Sequence, residues 1–290
     1  MTAHLFSASL KRTISITLRL MMIAFFIFSA LAIQPAPPAA AAPLGDERGM
    51  PDPTGEVPPE AAPPGEGLDG MVEPLAPDLA WRAYNDCNTN IGTAPGSNVT
   101  TYTVTGSTTG LLRSYPGGTN TPVTVTFSSF NNPTRDDQGI SPNAGTDAYN
   151  VFNGIVDLAG GIWYGSTGWW VDVTFTGLDP AKTYTFVTTA NRDRTDYTSR
   201  VSKFTIRDLT SAANESTSGT TISTTTLTND TTAFLTGYNT VNGYVARWTG
   251  INPGADGDFT VRAQSNSTTV NEAYGPSGFM LGEEGIPPTT

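Results

Sequence analysis

Histidine is almost absent from this chain of 290 residues: the only one is His4. Without an imidazole downstream, no Ser–His–Asp or Cys–His arrangement can be built, because the base that activates the nucleophile is missing. Cysteine is as scarce. Cys87 stands alone, which excludes an internal disulfide and any Cys/His zinc site. It reads as a buried residue beside the first strand, with an intermolecular bridge as the alternative. Lysine is thin as well, with only Lys182 and Lys203 beyond Lys11. A formal net charge of −11 leaves phosphate backbones and anionic lipid as poor partners. Neither a Walker-type phosphate loop nor a dinucleotide fingerprint is present. No segment repeats at a fixed period, which argues against a propeller or solenoid.

What is present divides the chain into parts. Lys11, Arg12 and Arg19 precede an uncharged apolar run, Leu20 to Ile33, followed by the small residues Ala39 to Ala42. The run is short for a membrane span, and the order basic, apolar, small is that of a secretory signal peptide. Residues 1–42 are therefore expected to direct export, placing the rest outside the cell or on its surface. Residues 43–78 are rich in proline, and nine acids face the single Arg48. Such a segment has too little apolar surface to offset the entropy of ordering, so a disordered linker is expected. Residues 79–284 remain for one folded domain, and 285–290 read as the start of another linker or a tail.

In the domain, the period of two dominates. Val123, Val125 and Phe127 alternate with Thr124 and Thr126. Trp169, Val171, Val173 and Phe175 alternate with Trp170, Asp172, Thr174 and Thr176, and Phe259, Val261 and Ala263 do the same with polar neighbours. Each pattern gives one buried and one wet face, as an antiparallel sheet requires. Threonine is abundant, and its branched side chain suits a pleated surface. Strands are expected at Trp81–Tyr84, Val99–Thr105, Val123–Phe127, Gly161–Tyr164, Trp169–Thr176 and Thr183–Thr189. Further ones are expected at Val201–Arg207, Thr220–Leu227, Gly243–Thr249, Phe259–Gln264 and Ser277–Leu281. Many short strands separated by Gly- and Pro-rich turns predict an all-β antiparallel β-sandwich, with a jelly roll the best fit to the length.

Three places could carry chemistry. Adjacent tryptophans on a strand point to opposite faces, so Trp169 belongs to the core and Trp170 to the polar face with Asp172. There, and at Tyr164, a ring could stack on the apolar side of a sugar. Asn191–Tyr197 is the densest run of charge in the domain and lies in a loop. Its Arg192 and Arg194 offer planar donor pairs, and Tyr197 adds a ring. Oxygen-rich turns at Asp256–Gly257–Asp258 and Asn85–Asp86 are candidates for a structural Ca²⁺. No other cofactor is expected. Paired carboxylates are the only catalytic arrangement the composition permits, and most Asp residues sit in turns.

Some of these residues also carry a family resemblance. The run Gly168-Trp169-Trp170-Val171-Asp172-Val173-Thr174-Phe175-Thr176-Gly177-Leu178-Asp179-Pro180, continuing through Tyr184-Thr185-Phe186, looks like a strand–turn–strand signature of secreted bacterial modules. Arg247-Trp248-Thr249-Gly250-Ile251 before Asp256-Gly257, and the closing Gly278-Phe279-Met280-Leu281, are similar. The modules are galactose-binding-like jelly rolls appended to exported enzymes and surface proteins. The resemblance implies a non-catalytic binding fold without identifying a ligand, and the chain is expected to be a monomer. A polysaccharide or surface glycan would be met at Trp170, Tyr164, Arg192, Arg194 and Tyr197. The alternatives are a structural or protein-interaction module of the cell surface and, third, a carboxylate-dependent glycoside hydrolase.

Overall fold

A computed structural model describes residues 78–87, 96–217 and 230–285. The expected signal peptide, nearly all of the expected linker, the strand expected at Thr220–Leu227 and most of residues 285–290 lie outside these residues. The first strands are β1 (Leu79–Asp86), β2 (Thr109–Arg113), β3 (Asn120–Phe130) and β4 (Thr134–Asp136). One short helix, α1 (Asp147–Phe152), precedes β5 (Gly161–Trp163), β6 (Trp170–Thr176), β7 (Tyr184–Thr189) and β8 (Val201–Arg207). Then follow β9 (Ser211–Asn214), β10 (Thr231–Leu235), β11 (Ala246–Asn252), β12 (Phe259–Ser265) and β13 (Gly278–Glu284).

A five-stranded sheet runs β1-β13-β7-β11-β9, and a six-stranded sheet runs β10-β8-β12-β6-β3-β2. β4 and β5 form a small separate ribbon. Every ladder between these strands is antiparallel. The two large sheets share one core, so the chain is an all-β antiparallel sandwich. Four rings tie the sheets together. Phe175 and Phe259 from the six-stranded sheet meet Phe186 and Phe279 from the other, with Phe175 4.9 Å from Phe259 and 5.2 Å from Phe279. Edge-to-face and tilted contacts of this kind add to the apolar burial itself.

The outer faces of the two sheets differ. On the five-stranded sheet, Tyr84, Met280 and Val187 stand in one cross-strand row. Ala148 and Phe152 of α1, with Val156 and Leu158, cover them in a second apolar cluster. Thr146 caps α1, its hydroxyl accepting from the Tyr149 N–H at 3.4 Å. Among the described residues, no such cluster covers the outer face of the six-stranded sheet, which carries threonines, charges and the rings of Phe130 and Trp170.

The alternating segments take their expected places, and Val201–Arg207 keeps its bounds. Val99–Thr105 does not become a strand. The Asn85 side chain captures it instead: Oδ1 accepts from the Tyr102 N–H and Nδ2 donates to the Tyr102 carbonyl, each at 2.8 Å. One buried amide thus satisfies the main chain that a ladder would have paired. β2, β4, β9, β10 and α1 were not foreseen, since each is too short to show a period.

The Gly-Leu-Asp-Pro turn has a physical basis. Gly177 has φ +81°, and a Cβ there would lie 2.6 Å from the Pro122 carbonyl oxygen. The following Asp179 N–H donates to the Tyr184 hydroxyl at 2.8 Å, closing the corner onto β7. This turn, the β8–β9 turn and the 253–258 turn share one end of the sandwich. The opposite end gathers the longer connections: 131–169, 190–200, 236–245 and 266–277.

Candidate functional site

At the end with long connections, β5 delivers Trp163 and the residue after it, Tyr164, the β7–β8 loop delivers Arg192 and Tyr197, and the β12–β13 connection delivers Tyr274. Their rings pack mainly edge to face. Tyr164 lies 5.6 Å from Trp163 and 5.8 Å from Tyr274, and Trp163 lies 6.1 Å from Tyr274. Two guanidinium groups interleave with them. Arg192 sits 4.3 Å from the Trp163 centroid and Arg200 3.2 Å from that of Tyr197. Such contacts orient both partners and hold the rings fixed.

Each arginine is also anchored by a carboxylate. Arg192 donates to Asp136 at 2.8 Å and to the Gln138 side-chain oxygen, tying the loop to the β4–β5 ribbon. Arg200 pairs with Glu272 at 2.8 Å and donates to the Tyr274 hydroxyl. Burial pushes the Tyr274 hydroxyl up to about 12, against the opposing pull of Arg200. Trp163, Tyr274 and Arg192 line a small open cleft of about 20 Å³ with Asp136, Gln138 and Ser277.

Of the five side chains expected to contact a ligand, the structure brings Tyr164, Arg192 and Tyr197 into this wall. Arg192 is held there more deeply than a loop residue suggests, at 5% exposure, and its carboxylate partner is Asp136 rather than Asp193 or Asp196. Arg194 lies exposed in the same loop, and its backbone N–H donates to the Arg192 carbonyl. Trp163, Arg200, Asp136, Gln138 and Tyr274 complete the wall. Trp163 adjoins Tyr164 in the sequence. The others are separated from it by tens of residues, and only the fold unites them.

Trp170 belongs elsewhere. Trp169 is buried, with its indole N–H donating to the Asn271 carbonyl at 2.6 Å. Trp170 turns to the outer face of the six-stranded sheet, half-buried, as the alternation requires. Its strand lies between β12 and β3, and each neighbour supplies a cover. Arg262 sits 4.1 Å from the Trp170 centroid, and Phe130 stacks at 6.0 Å with rings 17° apart. The indole therefore stands between two partners, and the free aromatic face here is that of Phe130, 53% exposed. Asp172 fixes Arg262 through two 2.7 Å bonds and takes a third from Arg207.

The remaining candidates lie apart from this wall. Asp86 is buried and accepts the Asp157 N–H at 3.1 Å, while Asn85 serves the 99–105 segment. Desolvation and the neighbouring Asp256 and Asp208 raise the Asp258 carboxyl. Among the described residues, no three His, Cys, Asp or Glu side chains gather as metal ligands do. No helix among them is long and apolar enough to cross a membrane. Cys87 is fully buried, which removes it from intermolecular pairing in the folded state. No protein-family model, curated protein or solved structure matches the chain.

Proposed function

We propose that the chain is an exported, non-catalytic module that binds carbohydrate at the end of the sandwich where the long connections meet. The observation that carries this reading is the wall of Trp163, Tyr164, Tyr197 and Tyr274, held by Arg192 and Arg200 beside an open cleft. Rigid rings next to fixed polar groups match a sugar, which has apolar ring faces and hydroxyl edges. The galactose-binding-like jelly roll that the sequence resembles agrees with this reading. Asp136 and Glu272 favour binding over hydrolysis, because each is engaged by an arginine. A hydrolytic acid is instead a carboxyl whose surroundings keep it protonated.

Affinity should be weak, with Kd around 10⁻⁵ to 10⁻³ M, or about 4–7 kcal/mol. Calorimetry of the full chain against a broad polysaccharide panel, with and without Ca²⁺, tests this. Tyr164→Ala should weaken any hit, and Trp170→Ala should leave it unchanged. A loss confined to Trp170→Ala would move the site to the sheet face. Absence of binding to every glycan would favour a protein-interaction module. The outer face of the six-stranded sheet, where Phe130 is 53% and Leu111 41% exposed among the described residues, is the observation behind that second reading.

A further inference from the structure

The aromatic wall stands beside a cleft too small for a sugar. At about 20 Å³ the cleft has room for about one water molecule. Sites that enclose a small organic ligand measure roughly 300–1,000 Å³, so no sugar ring enters here. Tyr274 is buried, at 5% exposure, and acts as backing. Trp163, Tyr164 and Tyr197 are only partly buried, and they come from two separate parts of the chain. Arg200 borders both tyrosines, 3.2 Å from the Tyr197 centroid and 5.9 Å from that of Tyr164. Arg192 holds Trp163 in the same manner at 4.3 Å. These three rings form a fixed surface patch, not the lining of a pocket.

A patch and a pocket favour different ligands. Association costs translational and rotational freedom, and that cost is incurred once per ligand, however long the ligand is. A pocket offsets it with a single ring by burying most of that ring's surface. A ring lying on an open patch loses water from one side only, so one unit gains little. Linked units share the single cost, and each adds its own contact. Recognition of a chain end needs walls around the last unit, and a cleft of this size supplies none.

We propose that the site takes the interior of a polysaccharide chain, several linked units at a time, lying across Trp163, Tyr164 and Tyr197. The proposal rests on the carbohydrate-module reading and specifies its ligand: a polymer, in preference to a free sugar or a chain end.

Calorimetry of the full chain tests it, with soluble mannan, galactan, xylan and mixed-linkage glucan as probes, each beside its own monosaccharide and hexasaccharide. The expected result is that at least one polymer binds several protein molecules per chain. Its hexasaccharide should bind about tenfold or more tightly than its monosaccharide. Tyr164→Ala and Tyr197→Ala should each weaken the hexasaccharide about threefold or more, because each removes one of several contacts. The wild-type length series decides the question even if neither variant folds. A monosaccharide that binds as tightly as its hexasaccharide would overturn the chain-interior site and leave the module reading standing. So would a polymer that takes no more than one protein per chain end. If no carbohydrate binds in any form, both fall together.

Discussion

Trp169 and Trp170 are neighbours in sequence with different surroundings. Trp169→Ala should empty a core site and cost about 3–5 kcal/mol. Trp170→Ala, on a half-buried ring whose partners stay solvated, should cost less than about half of that. Urea denaturation of both variants checks the contrast, and equal large losses would refute it. Two buried tyrosines make a second statement at this scale. Desolvation lifts Tyr184 and Tyr274 from the ordinary value of 10 up to about 12. A tyrosine whose pKa is higher folded than unfolded contributes its full stability below pH 10. That contribution is lost between pH 10 and about 12, because the unfolded chain ionises first. The thermal midpoint should therefore be insensitive to these two groups up to pH 10 and fall above it, with tyrosinate absorbance appearing as the chain unfolds. Burial also raises the Cys87 thiol, with Asp86 adding to it. Thiol reagents should leave the native chain unmodified and react fully in denaturant.

Among the elements, the strands of the six-stranded sheet are coupled by charge on their wet side. Asp172 on β6 stands directly opposite Arg262 on β12 and reaches Arg207 on β8. Asp172 is 4% exposed although it faces outward, because the two guanidinium groups close over it. Asp172→Ala should cost roughly 1–3 kcal/mol, discounted from a fully buried pair because both arginines remain partly solvated. It should also release Arg262 from Trp170, which tryptophan fluorescence of Trp169→Phe backgrounds can follow. Asp172→Asn, which keeps the shape and loses the charge, should fall between the two. On the other sheet, α1 is a cover of only six residues. Its weight lies in Phe152, fully buried against Tyr84, so Phe152→Ala should cost about 3–5 kcal/mol by cavity formation.

At the scale of the whole molecule, the sequence alone determined the class of fold. Alternation of apolar and polar residues is a local property, and it placed Val123–Phe127, Trp169–Thr176 and Phe259–Gln264 in their strands with the right faces inward. The opposite orientations of Trp169 and Trp170 follow from the same period. The missing histidines and the solitary cysteine excluded whole classes of chemistry without any structure. Tertiary structure decided the rest, because it depends on contacts distant in sequence. Asp136 and Arg192 are 56 residues apart, and Arg200 and Tyr274 are 74 apart. No local pattern announces that they meet. Burial of Arg192 in particular could not be read from a charged loop, since its neighbours in sequence, Asp193 and Arg194, are exposed. Only packing of the β4–β5 ribbon against that loop takes the guanidinium out of water. A period specifies which face of a strand is dry, whereas a site is a meeting of loops, and loops carry no period.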